Sequence, residues 1–297
     1  MLEKEKMLKI NPQEISVAEL HGHLLGSVGP RPIALASTID AAGNRNLSPF
    51  SFFNVFSANP PIAIFSPARR VRNNTIKHTL ENVLDNKEVV INVVSHAMVQ
   101  QTSLSSTEYK LEVNEFDKAG FTPIASETVK PFRVQESPVQ FECVVKEVIS
   151  LGDEGGAGNL VICEIKLVHI DESILNEAGK IDPNKIDLVA RMGGNWYCRA
   201  SHDAIFEVEK PLTTLGIGID QIPSDIRNSD ILSGNDLGIL GNVETIPSME
   251  EVEQFCTANK LNNENSTTLH LKAKELLNQG NTMDAWKTLL IDKLNRV

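Results

Sequence analysis

Between residues 26 and 82, small hydroxyl and amide side chains stand at the ends of apolar runs, and cations follow close behind. Ser37 and Thr38 end one run, and Asn46, Ser48, Ser51 and Asn54 punctuate the next. Ser66 closes a third, and Arg69, Arg70, Arg72, Lys77 and Thr79 come after it. Amide side chains and backbone N–H groups at strand ends can hydrogen-bond the polar edge of a planar heterocycle. Hydroxyls, Lys and Arg satisfy phosphate oxygens, and the charge-assisted bonds are the strong ones. A helix opening near Thr75 to Thr79 adds its dipole to the same anion. These residue types therefore suit the binding of a flat ring that carries a phosphate.

Other combinations are read as structural. His21 and His23 flank Gly22, but no further ligands at matched spacing accompany them, so a structural or pocket-lining role is expected and no metal. The pair His202 and Asp203 lacks a positioned Ser or Cys nucleophile. Gly152, Gly155, Gly156 and Gly158 surround Asp153 and Glu154, whose charges repel phosphate, and no Gly-Lys-Ser/Thr follows. That stretch is read as a flexible hairpin loop. Cys143, Cys163, Cys198 and Cys256 share no CxxC or zinc-like spacing, so reduced thiols are expected, with Cys143 and Cys163 as small core residues. Cys198 lies near a site segment named below, which leaves a redox role open. Phe50, Phe52, Phe53 and Phe56 are expected mostly in the core.

The elements that must hold these residues are mainly β. An apolar run from Pro32 to Thr38 meets a turn at Asp40 to Asn44, and a second strand starts near Asn46. Pro61 to Ser66 reads as a strand with its proline first. Thr75 is expected to cap a helix running to about Asn86, with Ile76, Leu80, Val83 and Leu84 on one face. Glu88 to Val94 reads as a buried strand, His96 to Ser105 as helical, and Phe116 to Gly120 as a short helix closed by its glycine. Pro138 to Ile149 and Asn159 to Ile170 alternate with period two, as a half-buried hairpin does. Short strands at turn-separated intervals favour a barrel. No strict βαβ alternation and no GxGxxG after the first strand support a dinucleotide-binding fold.

Beyond about Asp203 the texture changes to loops with apolar anchors, then three helices. Ser248 to Glu251 fits a capping box. A second helix carries Leu269, Ala273, Leu276 and Leu277. A third, capped by Thr282, aligns Trp286, Leu289, Leu290 and Leu294. We therefore divide the chain at 1–202 and 203–297, the second part being a helical extension packed on the barrel or on a partner subunit.

The chain has 297 residues, enough for a sizeable core, with 28 Lys+Arg against 39 Asp+Glu and a formal charge of −11. Such a balance disfavours general nucleic-acid binding and adhesion to anionic membranes. Residues 202–297 carry net −7 and residues 1–201 net −4, so an anionic ligand is expected in the first part. No apolar run reaches the ~18–20 residues of a membrane span. The first residues lack an apolar h-region, so a cytoplasmic location is expected.

Across about residues 22–200 the chain resembles the flavin reductase-like proteins with an FMN-binding split β-barrel. The resemblance rests on Pro30-Arg31-Pro32-Ile33 running to Ser37-Thr38 and on the turn at Gly43 into Asn46-Leu47-Ser48-Pro49-Phe50-Ser51-Phe52-Phe53-Asn54. It also rests on Pro60-Pro61, on Thr79-Leu80 with Asn82, and on Arg191-Met192-Gly193-Gly194 with Tyr197. Where relatives often show Lys-Asp-Thr, this chain has Lys77-His78-Thr79. The resemblance implies a mainly β split barrel with peripheral short helices, a homodimer, and FMN held noncovalently. It implies hydride transfer from NAD(P)H through the flavin, or, as the alternative, a flavoredoxin-like electron carrier without NAD(P)H turnover. A haem or pyridoxal-phosphate binder on the same fold is a further rival. The cofactor-binding residues it implies are Arg31, Ser37, Thr38, Asn46, Ser48, Pro49, Ser51, Asn54, Ser66, Arg70, Lys77, Thr79 and Arg191. No side chain is assigned as a nucleophile or base, because the flavin carries the chemistry.

Overall fold

The computed structural model describes residues 7–110, 113–208 and 210–294. The chain divides into two units, Met1–Phe206 and Glu207–Val297, four residues beyond the boundary expected from composition.

In chain order the first unit contains β1 (Ala34–Ile39), β2 (Arg45–Phe50), β3 (Phe53–Ala58), β4 (Pro61–Phe65) and β5 (Glu88–Val93). A short pair, β6 (Pro123–Ile124) and β7 (Arg133–Val134), precedes the long β8 (Val139–Ser150) and β9 (Asn159–Ile170), and β10 (Leu188–Arg191) and β11 (Tyr197–Ala200) form a final hairpin. Seven of these strands make one antiparallel sheet in the order β2-β1-β5-β8-β9-β4-β3. Its two edges, β2 and β3, are separated in sequence only by Ser51 and Phe52. At roughly 3.5 Å per residue, so short a link holds the two edges together, and the sheet has to curl into a barrel.

Small and branched residues fill the inside, among them Ala34, Ala36, Ala63, Val89, Ile91, Cys143 and Cys163, with Phe50 and Phe65 stacked at a centroid distance of 5.4 Å. The helices of this unit are α1 (Val17–Ser27), α2 (His78–Asn86), α3 (Val99–Leu104), α4 (Glu115–Ala119) and α5 (Pro183–Ile186). Leu80 and Val83 of α2 join the barrel interior. On the other face of β1 and β2, Leu35 and Leu47 pack with Met98 and with Phe116 of α4.

Several local expectations are corrected. Thr75 does not cap α2: the residue before the helix is Lys77, and the Thr75 hydroxyl instead meets Arg70 and Asn73. Leu84 turns outward. Phe50 is core, but Phe52 in the short β2–β3 link and Phe56 on the edge strand β3, at the bulge between Val55 and Ser57, are exposed. The β8–β9 hairpin is not polar-out along its length. Its first half has a second cover, and Glu142 is wholly buried beneath residues 127–128, whose N–H groups it accepts.

The second unit holds α6 (Ser224–Arg227), α7 (Gly234–Gly241), α8 (Met249–Ala258), α9 (Ser266–Asn278) and α10 (Thr282–Leu294). Ser248 and Glu251 form both bonds of the expected capping box, and Ser233 and Asp236 form another at α7. Thr282 is the first residue of α10 rather than its cap. Trp286, Leu289 and Leu290 are buried with Leu240, Val252, Leu269 and Ala273 in a core of this unit's own. The indole Nε1 donates to the Leu240 carbonyl at 3.0 Å. The apolar stripes of the extension thus bury one another. Among the described residues no helix is long and apolar enough to cross a membrane.

Candidate functional site

Thr38 of β1 and Asn46 of β2 stand opposite each other, so their side chains leave the same face of the sheet, beneath α2. The Asn46 amide donates to Thr38 Oγ1 at 3.1 Å and to Thr79 Oγ1 at 2.9 Å, and Asn82 donates to Thr38 Oγ1 at 3.0 Å. All four residues are buried. This network ties the start of α2 to the sheet and, among the described residues, leaves the Asn46 side-chain oxygen without a donor. Ser37 pairs with Leu47 and faces the opposite side, where its hydroxyl is buried without a hydrogen-bond partner among the described residues.

Asn46, Ser48, Arg70, Lys77, His78 and Thr79 line a polar cleft together with residues 105–109 and Glu115. Lys77 enters α2 in extended backbone, with its Nζ 5.2 Å from the centroid of the Phe50 ring. Among the described residues its ammonium has no hydrogen bond or ion pair. Burial, and then the charge of Arg70, hold the Lys77 pKa below the ordinary lysine value, against a smaller pull from Glu108. Arg70 donates to Thr75 Oγ1 at 2.9 Å and to the Ile76 carbonyl, and its Nε meets Glu108 at 3.2 Å. Arg72 pairs with the other Glu108 oxygen. Arg69 turns away, with its guanidinium on Asn74 and its backbone paired to the hairpin loop at Gly156 and Ala157. That loop packs closely: a Cβ on Gly155 would stand 3.0 Å from the Val71 carbonyl oxygen. The glycines let it brace the arginine segment rather than hang free.

In the same cleft, Glu115 is buried and accepts the Leu47 N–H at 3.1 Å. Burial raises its pKa above the usual carboxylate value, with the hydrogen bond from the Leu47 N–H acting against the shift. Neither Glu108 nor Glu115 carries a local signal in the sequence. Each reaches the cleft from a segment some 30 or more residues downstream of Lys77, so only the fold joins them to it.

The structure does not bring every expected residue to this cleft. Ser66 Oγ accepts the Asn159 N–H at 3.1 Å, closing the base of the β8–β9 connection. Pro49 of β2, Ser51 of the β2–β3 link and Asn54 of β3 line no part of the cleft, and Asn54 Oδ1 accepts from its neighbour Val55 N–H. Arg31 and Arg191 form a second cluster. The Arg31 guanidinium donates to the Leu25, Val28 and Met192 carbonyls, and Arg191 lies 4.6 Å over the Tyr197 ring and donates to Gly194. Their backbones pair with each other. A Cβ on Gly193 would stand 3.1 Å from Gly26 Cα, so this glycine permits the close approach of α1.

Residues 26–184 match the family described as flavin reductase like domain. An uncharacterised protein of Aquifex aeolicus is 39% identical over 181 residues, covering 61% of this chain and 90% of its own length. Nitrilotriacetate monooxygenase component B from Bacillus cereus superposes with a TM-score of 0.64 at 28% identity, covering 69% of this chain and 100% of that one. A protein with a split barrel domain from Shewanella frigidimarina superposes with a TM-score of 0.58 at 26% identity, covering 68% and 100%. The family match spans more than half of the chain and falls wholly within the barrel unit. This chain therefore belongs to the flavin reductase-like family of flavin-linked oxidoreductases, and its first unit is a split barrel.

Proposed function

We propose that the barrel unit holds FMN, with the phosphate end in the cleft between Arg70, Lys77 and the start of α2, and that it takes hydride from NAD(P)H. The observation that carries this reading is the state of Lys77. An ammonium group withdrawn from water, without an anionic partner and beside a second cation, is costly unless an anion completes the site. The N–H groups at the start of the nine-residue α2 add donors to the same place.

The residues present fit the group. Arg70 and Lys77 supply charge, Ser48 a hydroxyl with no partner among the described residues, and Asn46 an acceptor on an amide already fixed by Thr38 and Thr79. When bound, the flavin supplies two-electron redox chemistry. The chain's own task is to bind and orient it: the Asn46 network locks the floor, and the cations anchor one end. In this reading the implied homodimer completes the ring pocket.

Flavin retained after desalting, followed by anaerobic titration with NADH or NADPH, tests the proposal. Bleaching of the flavin band at about one equivalent is expected. Retention of FMN with no bleaching by either nucleotide would favour an electron carrier instead.

A further inference from the structure

Glu108 reaches the cleft from the segment after α3 and occupies its arginines. One carboxylate oxygen accepts from Arg70 Nε at 3.2 Å, and the other meets Arg72. The Glu108 side chain is 48% exposed and Arg72 is 72% exposed, whereas Arg70 is only 19% exposed. The carboxylate therefore sits at the mouth of the cleft and Arg70 further in. Lys77, in the same cleft, receives no bond from it.

We propose that Glu108 is a selectivity-setting residue of this cleft, an internal carboxylate that holds Arg70 and Arg72 until a phosphate dianion displaces it. The proposal rests on the reading of the cleft as a phosphate site. A neutral hydroxyl tail cannot compete for the arginines, so it leaves Glu108 in place. A dianion with three acceptor oxygens can engage Arg70 and the unpaired Lys77 together, which a single carboxylate at the mouth does not do. Displacement is cheap because a half-exposed carboxylate returns to water, where ion pairs are worth little. Glu108 thus acts as an internal competitor for the arginines: it lowers the affinity of a phosphate ester and narrows its advantage over a neutral tail, whose affinity it leaves unchanged.

The test compares the full-length protein with Glu108→Gln and Glu108→Ala, titrated with FMN and with riboflavin by quenching of flavin fluorescence. Both substitutions lie at the surface, and a melting curve checks that the fold is kept. Both variants are expected to raise the ratio of FMN to riboflavin affinity by roughly three- to tenfold, with riboflavin unchanged. Inorganic phosphate should compete with FMN at a correspondingly lower concentration in the variants. A ratio that stays the same or falls in either folded variant overturns the role of Glu108. The wild-type ratio is read separately: equal affinities for FMN and riboflavin there would remove the phosphate reading itself, whereas a preference for FMN insensitive to Glu108 would remove only this inference.

Discussion

The ammonium of Lys77 stands over the ring of Phe50, 5.2 Å from its centroid, at the point where α2 begins and the barrel interior ends. Phe50 is held by Phe65 inside the barrel, so the cation is mounted on the core rather than on a mobile loop. This placement keeps the charge in the cleft without neutralising it. Lys77→Met should weaken FMN binding about tenfold or more, the worth of one charge-assisted bond, while riboflavin binding changes little. Paired titrations check it, and an equal loss for both ligands would assign Lys77 to the ring or to folding.

Asn46→Ala removes two buried hydrogen bonds at once and leaves the Thr38 and Thr79 hydroxyls without that partner. A loss of ~1–3 kcal/mol of stability is expected, with α2 loosened from the sheet. Denaturant melts of the protein without ligand measure this. An unchanged midpoint would mean that the amide is replaceable by water.

Glu142 is the anchor of the β8–β9 half of the barrel. It accepts from Glu127 N–H, Thr128 N–H, Thr128 Oγ1 and His169, with Arg133 at 3.6 Å. Although burial opposes it, these bonds, led by the Thr128 hydroxyl, hold its pKa down to about 2. Its folded pKa is thus below the unfolded one. The stabilisation is complete above the ordinary glutamate range of ~4.3 and is lost as pH falls toward about 2. Acid unfolding of Glu142→Gln should begin from a lower stability at pH 7 and show a shallower dependence between those limits. Parallel acid titrations of the two proteins would refute this if their curves differed only by a constant offset.

His270 plays the converse part in the helical unit. It is buried on α9, its Nδ1 is 2.7 Å from Ser229 Oγ, and burial lowers its pKa, with Asp292 and Asp225 acting against the shift. The unfolded chain therefore takes up the proton first. The contribution of neutral His270 is full above the unfolded pKa of ~6.5 and declines as pH falls below it. Trp286, buried in the same unit, reports the transition by fluorescence, and Trp196→Phe removes the exposed indole of the barrel unit. Urea midpoints read by Trp286 should fall from pH 7.5 to pH 5.5. A midpoint that rose over that interval would mean that the two aspartates dominate.

By itself the sequence determined six of the seven strands of the barrel sheet, all but the edge strand β3, because period-two runs and turn residues are local properties of the chain. It likewise determined the hydroxyl, amide and cation types of the cleft, the capping box at Ser248 and the apolar stripe of α10. What only the tertiary structure decided is which of these residues meet. Ser37 and Thr38 are neighbours in sequence but face opposite sides of β1, and Thr38 is instead the partner of Asn46, Asn82 and, through Asn46, Thr79. Arg69 and Arg70 are likewise adjacent, yet one braces the hairpin loop and the other faces the cleft. Glu108, Glu115 and the burial of Glu142 depend on contacts between segments far apart in the chain. A residue's type constrains its possible partners, but the curl imposed by the short β2–β3 link and the packing of α2 on the sheet select among them. The physical reason is that side-chain direction and burial are set by the three-dimensional neighbours of a strand or helix, and those neighbours are long-range.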